Sequence, residues 1–230
     1  MINLPIHISQ GLCSRANNFS EFRTRCKEYL ANNGVNHDKF TTTPFDSFLG
    51  YVSEEIIAKY LRNKYRGRVC VSKWQDQFDM ELVRSIVKSG RNSKEDIDLI
   101  CSYFYDSFDL YVSTPSMQMF IDLKIDVKTA ITQKNPQDNW EFLYPVVQAE
   151  KLGKDIAMLV YYIVDNKDDP STLKEMAFVG FLRENEITCC EKIDAGQRTK
   201  HKTLSLTDNY ITYVGNYHSI DELFKEIEIQ

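Results

Sequence analysis

One stretch limits the possible folds more than any other. "IAMLVYYIV", Ile156 to Val164, is an unbroken apolar run of strand length. It is far too short for a helix that spans a bilayer. An amphipathic strand alternates between apolar and polar positions, and this one does not alternate at all. Neither of its faces can therefore lie in water, and layers must cover it on both sides. That requirement points to an α/β architecture with the run at its centre.

The flanking sequence supplies such layers. "SEFRTRCKEYLANNG" reads as a helix opened by Ser20 and closed at Asn33-Gly34. "TTTPFDSFLGYVSEEIIAKYLRNKY" reads as a second helix, with Thr43 as N-cap and Pro44 at its first position. "RVCVSKW" is a strand. "DMELVRSIVKSG" and "SKEDIDLICSYFYDS" are short helices, the latter opened by a Ser93–Asp96 capping box. Strands follow at 108–112 and 118–131, joined by a turn at Thr114-Pro115-Ser116. After a polar loop, "TQKNPQDN", Pro145 starts a helix ending near Gly153. Beyond the apolar run come strands "EMAFVGFLR" and "YITYVG" and a closing helix, "SIDELFKEIEI", with Ser219 and Glu222 as its capping box. The layout is a single domain over 1–230, with a core near 44–165, a helical extension over 1–43, and strands and a helix appended over 166–230.

Composition narrows the class further. Hydrophobic residues at 43% and charged residues at 27% are ordinary for a globular chain. The net charge of -5 gives no global attraction to nucleic acid or anionic membranes, although it allows a local basic cleft. Six cysteines form no Cys-x-x-Cys, which fits reduced, mostly buried thiols in a cytoplasmic protein. The four histidines are scattered and argue against a histidine metal site or a Ser/His/Asp triad. "MINLPIHISQ" lacks the apolar core of a signal peptide. No Gly-rich phosphate loop follows a strand, which disfavours nucleotide-binding folds.

Chemistry concentrates in "IDLKIDVKTA", Ile121 to Ala130. Ile121, Leu123, Ile125 and Val127 occupy one strand face, and Asp122, Lys124, Asp126 and Lys128 occupy the other. "FDLYV" precedes it and carries Asp109. A tight hairpin would set Asp109 and Asp126 on the same face, where two carboxylates repel unless a cation joins them. Mg²⁺ takes oxygen ligands and prefers one or two carboxylates with phosphate oxygens. Lys128, two residues on, could orient a water or meet charge developing on phosphorus.

Asp109 in "SFDLYV", Asp126-Val127-Lys128 in "KIDVKTA" and a glutamate within "GYVSEEIIAKYL" together resemble the PD-(D/E)xK phosphodiesterase superfamily, the fold of most type II restriction endonucleases. Phe108 stands at the position of the name-giving proline. Leu152 replaces the tyrosine that a RecB-like nuclease places four residues after Gln148. The resemblance implies an αβββαβ core, with a mixed central sheet flanked by helices, a helical insertion and appended C-terminal strands. It implies Mg²⁺ dependence, with Mn²⁺ able to substitute, and cleavage of double-stranded DNA by a homodimer with no membrane partner. Asp109, Asp126 and Glu54 would bind metal, and Lys128 would act on the nucleophile.

Two choices stay open within that set. Asp122/Lys124 shares a face with Asp126/Lys128 but lies nearer the turn, so the second pair is favoured. On the helix over 44–64, steps of 100° put Glu54 at the edge of the apolar face. They put Glu55 on the polar side, where Lys59 one turn on would pair with it. Candidate nucleic-acid contacts are Gln133, Lys134 and Asn135 in the loop after the strand, and Arg198, Lys200 and Lys202 in "GQRTKHK". Against the nuclease stand a same-fold enzyme of repair, phage processing or RNA cleavage, an inert binding module, and an unrelated domain in which "IDLKIDVK" is a surface strand.

Overall fold

A computed structural model describes residues 2–5, 9–35, 43–114, 122–150, 153–166 and 173–223. The chain is α/β with a mixed sheet, and it divides into two compact units. One comprises His7–Pro115, and the other Met1–Ile6 with Ser116–Gln230. The expected core over 44–165 draws on both. The first strand, β1 (Ile2–Pro5), belongs to the second unit.

In the unit His7–Pro115, helix α1 (Gln10–Asn32) starts a full three turns before the expected Ser20. Ser9 is its N-cap, accepting from the Leu12 N–H at 3.2 Å. Leu12, Ala16 and Ser20 are buried at four-residue spacing, so the inward stripe reaches back past Ser20. Ser20 instead donates from mid-helix to the Pro44 carbonyl at 2.5 Å. Helix α2 (Pro44–Lys64) begins where its local signals put it. The Thr43 hydroxyl accepts from Asp46 N–H at 3.1 Å, and the Asp46 carboxylate accepts from Thr43 N–H at 2.8 Å.

Strand β2 (Cys70–Lys73), a 3₁₀ turn at Trp74–Gln77, helices α3 (Met80–Ser89) and α4 (Lys94–Phe104), and strand β3 (Leu110–Ser113) complete this unit. Asp79 caps α3, and Gly90 ends it at φ 69°. Ser93 caps α4, its hydroxyl accepting from the Asp96 N–H at 3.1 Å, and the Asp96 carboxylate takes the Ser93 hydroxyl and Arg91. Cys26, Tyr29 and Leu30 of α1 pack with Val83 and Ile86 of α3 and with Ile100, Tyr103 and Phe104 of α4. Each such apolar side chain removed from water contributes about 1.5–3 kcal/mol. Beside this cluster β2 pairs antiparallel with β3, Lys73 opposite Leu110.

The second unit holds β4 (Asp122–Thr132), β5 (Glu141–Pro145), α5 (Val146–Ala149), β6 (Ile156–Val164), β7 (Leu173–Arg183), α6 (Glu184–Thr188), β8 (Glu191–Ile193) and β9 (Asn209–Tyr213). Four of its strands run in the order β1-β7-β6-β4, with β4 and β6 parallel and the other pairs antiparallel. The run that constrained the fold is β6. It is buried along its length except for a partly exposed Ile163. A smaller antiparallel sheet has the order β5-β9-β8.

Several expectations change here. Pro145 closes strand β5, and the helix after it is only α5. The sequence order αβββαβ is thereby interrupted by an extra strand. Phe142 and Tyr144 pack inward from β5, beside Ala157 and Leu182, which explains why this polar-flanked segment is extended. The thiols are free, but only Cys26 is buried. Cys13, Cys101 and Cys190 are half-buried, and Cys70 and Cys189 are exposed. Pro115 and Ser116 of the expected turn, Ile121, Leu152 and the closing helix beyond 223 lie outside the described residues. Among the described residues, no helix is long and apolar enough to cross a membrane.

Candidate active site

On β4, Ile125 and Val127 are buried, and Asp126 and Lys128 project from the opposite face. Lys128 Nζ donates to Asp126 Oδ1 at 2.8 Å, and both side chains are mostly covered, at 17% and 15% exposure. The other oxygen, Oδ2, accepts the hydroxyl of Tyr144, whose ring is wholly buried on β5. Lys154 is also buried. It donates to the Gln148 and Ala149 carbonyls at the end of α5, and its Nζ lies 5.9 Å from the Tyr144 ring centre.

Burial pushes the Asp126 carboxyl up, but the Lys128 charge and hydrogen bond, the Tyr144 hydroxyl and the Lys154 charge outweigh it. The net result holds Asp126 below the usual carboxylate range. The alternative pair differs. Asp122 is exposed and Lys124 half-buried. The Lys124 backbone is occupied with Asp155, its N–H donating to Oδ2 at 2.6 Å and its carbonyl accepting from the Asp155 N–H at 2.9 Å.

The unit His7–Pro115 has its own buried acid. Glu54 on α2 is 5% exposed, and its Oε2 has no hydrogen-bond partner. Lys73 Nζ is 3.9 Å from that oxygen. Lys73 is itself buried, donates to Glu55 Oε1 and sits 4.0 Å from the Tyr51 ring centre. Glu55 thus turns to β2 rather than to Lys59, the partner expected one helical turn on, and Lys59 is exposed. Burial first, and then the charge of Asp109, push the Glu54 carboxyl well above its ordinary range. Lys73 opposes this, Asp106 adds to it, and Arg23 opposes it again.

Asp109 does not lie on a strand as expected. It sits at a bend immediately before β3, with its carbonyl accepting from Trp74 N–H at 3.2 Å. Arg23 reaches the same region from α1, bonding to Asp106 at 3.2 Å and to the Phe104 carbonyl at 3.0 Å. Among the described residues, no group of three or more His, Cys, Asp or Glu side chains makes a ready cation cage.

The candidate nucleic-acid contacts split. Gln133, Lys134 and Asn135 are exposed, but the Gln133 amide is spent on the Asp165 carbonyl at 2.7 Å, and the Lys134 N–H is held by the Thr132 hydroxyl at 3.2 Å. Arg198, Lys200 and Lys202 are exposed together on one excursion between β8 and β9.

Sequence reading missed Lys73, Tyr144 and Lys154. Lys73 had a legible signal: in "VCVSK" it shares strand parity with Val71 and Val69, and a lysine on an apolar face invites a buried partner. Tyr144 shares parity with Phe142 only once β5 is known to be a strand. Lys154 follows Gly153, at φ 102°, and carries no local mark of its burial. No family model, no curated protein and no solved structure matches this chain.

Proposed function

We propose that this chain is a Mg²⁺-dependent endonuclease that hydrolyses phosphodiester bonds of double-stranded DNA, acting as a homodimer in the manner of a type II restriction enzyme. The observation that carries the reading is the Asp126–Lys128 pair, two residues apart on one strand face, half-sheltered and in direct contact at 2.8 Å. An ordinary surface strand leaves such charges in water. Here the carboxylate is held below its usual range by the amine it binds, and the amine is fixed, as an acid–amine pair acting on phosphate requires.

A carboxylate is a fitting ligand for a hard cation, and Glu54 Oε2 is buried with no hydrogen-bond donor. Mg²⁺ keeps waters and takes phosphate oxygens as ligands, so a cage made by protein alone is not needed. When bound, the metal would supply Lewis-acid stabilisation of phosphate charge. The reading assigns metal binding to Glu54, Asp109 and Asp126. Lys128 Nζ, held on Asp126 at 2.8 Å, is the amine that the reading assigns to a water or a phosphoryl oxygen.

The test is a supercoiled-plasmid assay with Mg²⁺, with Mn²⁺ and with EDTA, followed by mapping of fragment ends. Metal-dependent nicking that Asp126→Asn abolishes supports the reading, and fixed ends mark sequence specificity. A purified, folded protein that cuts neither DNA nor RNA with any divalent ion overturns it and leaves an inert binding module.

A further inference from the structure

Ala195 to Thr207 carries Arg198, Lys200, His201 and Lys202 and no acidic residue. The segment is a built hairpin. Arg198 and Leu204 form an antiparallel bridge. Gly196 N–H donates to the Ser205 carbonyl at 2.7 Å, Ser205 N–H to Gln197 at 2.9 Å, and Thr199 N–H to Thr203 at 2.9 Å. Its base is tied by the buried Asn209 amide, which donates to Ser205 Oγ at 2.8 Å and to the Thr207 carbonyl at 2.6 Å. The tip turns through Lys202 at φ 66°, the one non-glycine residue with positive φ among the described residues.

Glu141 lies beside that tip. Its side chain is 3% exposed, and neither carboxylate oxygen has a hydrogen-bond partner. His201 Nε2 is 3.8 Å away. Lys200 Nζ rests 4.4 Å from the ring centre of Tyr213, the residue opposite Glu141 across β5 and β9. The bond to Tyr213 holds the Lys200 ammonium in its charged form, and the charges of Glu141 and Glu191 add to this. A covered carboxylate without donors is costly unless cations attend it. The groups beside this one belong to the hairpin: the His201 ring at 3.8 Å and, through its charge, Lys200.

We propose that the 196–205 hairpin grips backbone phosphates of duplex DNA, and that Glu141 is its internal counter-anion, holding Lys200 and His201 until a phosphate replaces it. The inference rests on the nuclease reading and adds to it a contact surface and a restraint on that surface. Phosphate is the matching ligand because two or three cations on a rigid turn complement its charge, and such contacts position a protein without reading sequence. The restraint keeps non-specific binding weak, because each phosphate captured must first displace a carboxylate.

The experiment measures binding to a mixed-sequence DNA duplex in EDTA across a salt series. Arg198→Ala and Lys202→Ala, which leave Glu141 untouched, weaken binding and each lower the salt slope by about one. Glu141→Gln tightens binding on the order of three- to tenfold. That gain disappears when Lys200 and His201 are both alanine. A Glu141→Gln variant that binds no better, or that binds better even without Lys200 and His201, overturns the counter-anion. Normal Mg²⁺-dependent cutting with hairpin variants that bind like the parent overturns the hairpin and leaves the nuclease standing. Absence of duplex binding by the parent protein overturns the hairpin, and absence of cutting with any divalent ion as well overturns both. Leu204 and Leu206 are exposed on the return arm. Capture by anionic vesicles without capture by DNA therefore reassigns the hairpin to membranes and overturns the proposal.

Discussion

Lys128 Nζ and Asp126 Oδ1 meet at 2.8 Å from positions two apart on one strand, so each is held by the other and by the strand that carries both. Removing Lys128 leaves Asp126 sheltered, with the Tyr144 hydroxyl and the Lys154 charge to offset its burial but without its largest compensating charge. Lys128→Met therefore costs about 3 kcal/mol of stability, while Asp126→Asn with Lys128→Met costs less than either change alone predicts. Urea melts of the two single variants and the double give the coupling. If the nuclease reading holds, Lys128→Ala also lowers plasmid nicking by roughly a hundredfold or more, and Lys128→Arg does not restore it.

Tyr144 tests the same carboxylate from the other side. Its hydroxyl donates to Asp126 Oδ2. Tyr144→Phe keeps the buried ring and removes one charge-assisted bond, costing roughly 1.5–3 kcal/mol. It also moves the Asp126 titration upward, which side-chain carboxyl NMR of the variant and the parent reads directly.

The two buried acids give stability opposite slopes with pH. Asp126 is held below the ordinary carboxylate range, so its contribution is present above that range and is lost as pH falls through its lowered value. Glu54 is pushed well above that range, so the fold is favoured while Glu54 is protonated and loses that advantage as pH rises through the raised value. Glu54→Gln mimics the protonated form. It leaves stability unchanged below the ordinary range, at about pH 4. Above it, the variant becomes progressively more stable than the parent. Denaturant midpoints across pH check both slopes. A Glu54→Gln variant that gains nothing at neutral pH contradicts the buried-carboxylate assignment.

Gly180 has a φ of 148°, and a Cβ there would run into the His218 carbonyl. That carbonyl accepts from Phe181 N–H at 3.0 Å, while His218 N–H donates to Phe181 at 2.9 Å. The His218 ring is held at 2.6 Å by Glu186 and at 3.1 Å by Glu222. Gly180→Ala must strain its backbone or break this bridge, and it costs roughly 2 kcal/mol or more by thermal melting. His218→Ala costs less, because the bridge itself is backbone.

What the sequence made legible was local. Thr43-Pro44 and Asp46 fix the start of α2 within four residues of each other, and Ile156 to Val164 needs no partner to declare itself a covered strand. Ser20 misled because it has the chemistry of a cap. Only the buried Leu12 and Ala16, one and two turns back, show that the helix had already begun. Glu54 was singled out from its angle on the helix wheel, and it is buried. Its relation to Lys73 joins α2 to β2, and the relation of Tyr144 to Asp126 joins β5 to β4. No spacing rule reaches across such gaps. Asp109 falls outside its strand by one residue, at a bend that no periodicity in the sequence marks.

The pairing of β1 with β7 has a consequence for how the chain is made. Ile2–Pro5 is made before the unit His7–Pro115, yet its hydrogen-bonding partners are Glu175 to Phe178. Everything in His7–Pro115 emerges in between, and its helices can satisfy one another without waiting. The opening strand is therefore a loose end throughout synthesis of that nested unit, docking only when β7 arrives to close the circuit.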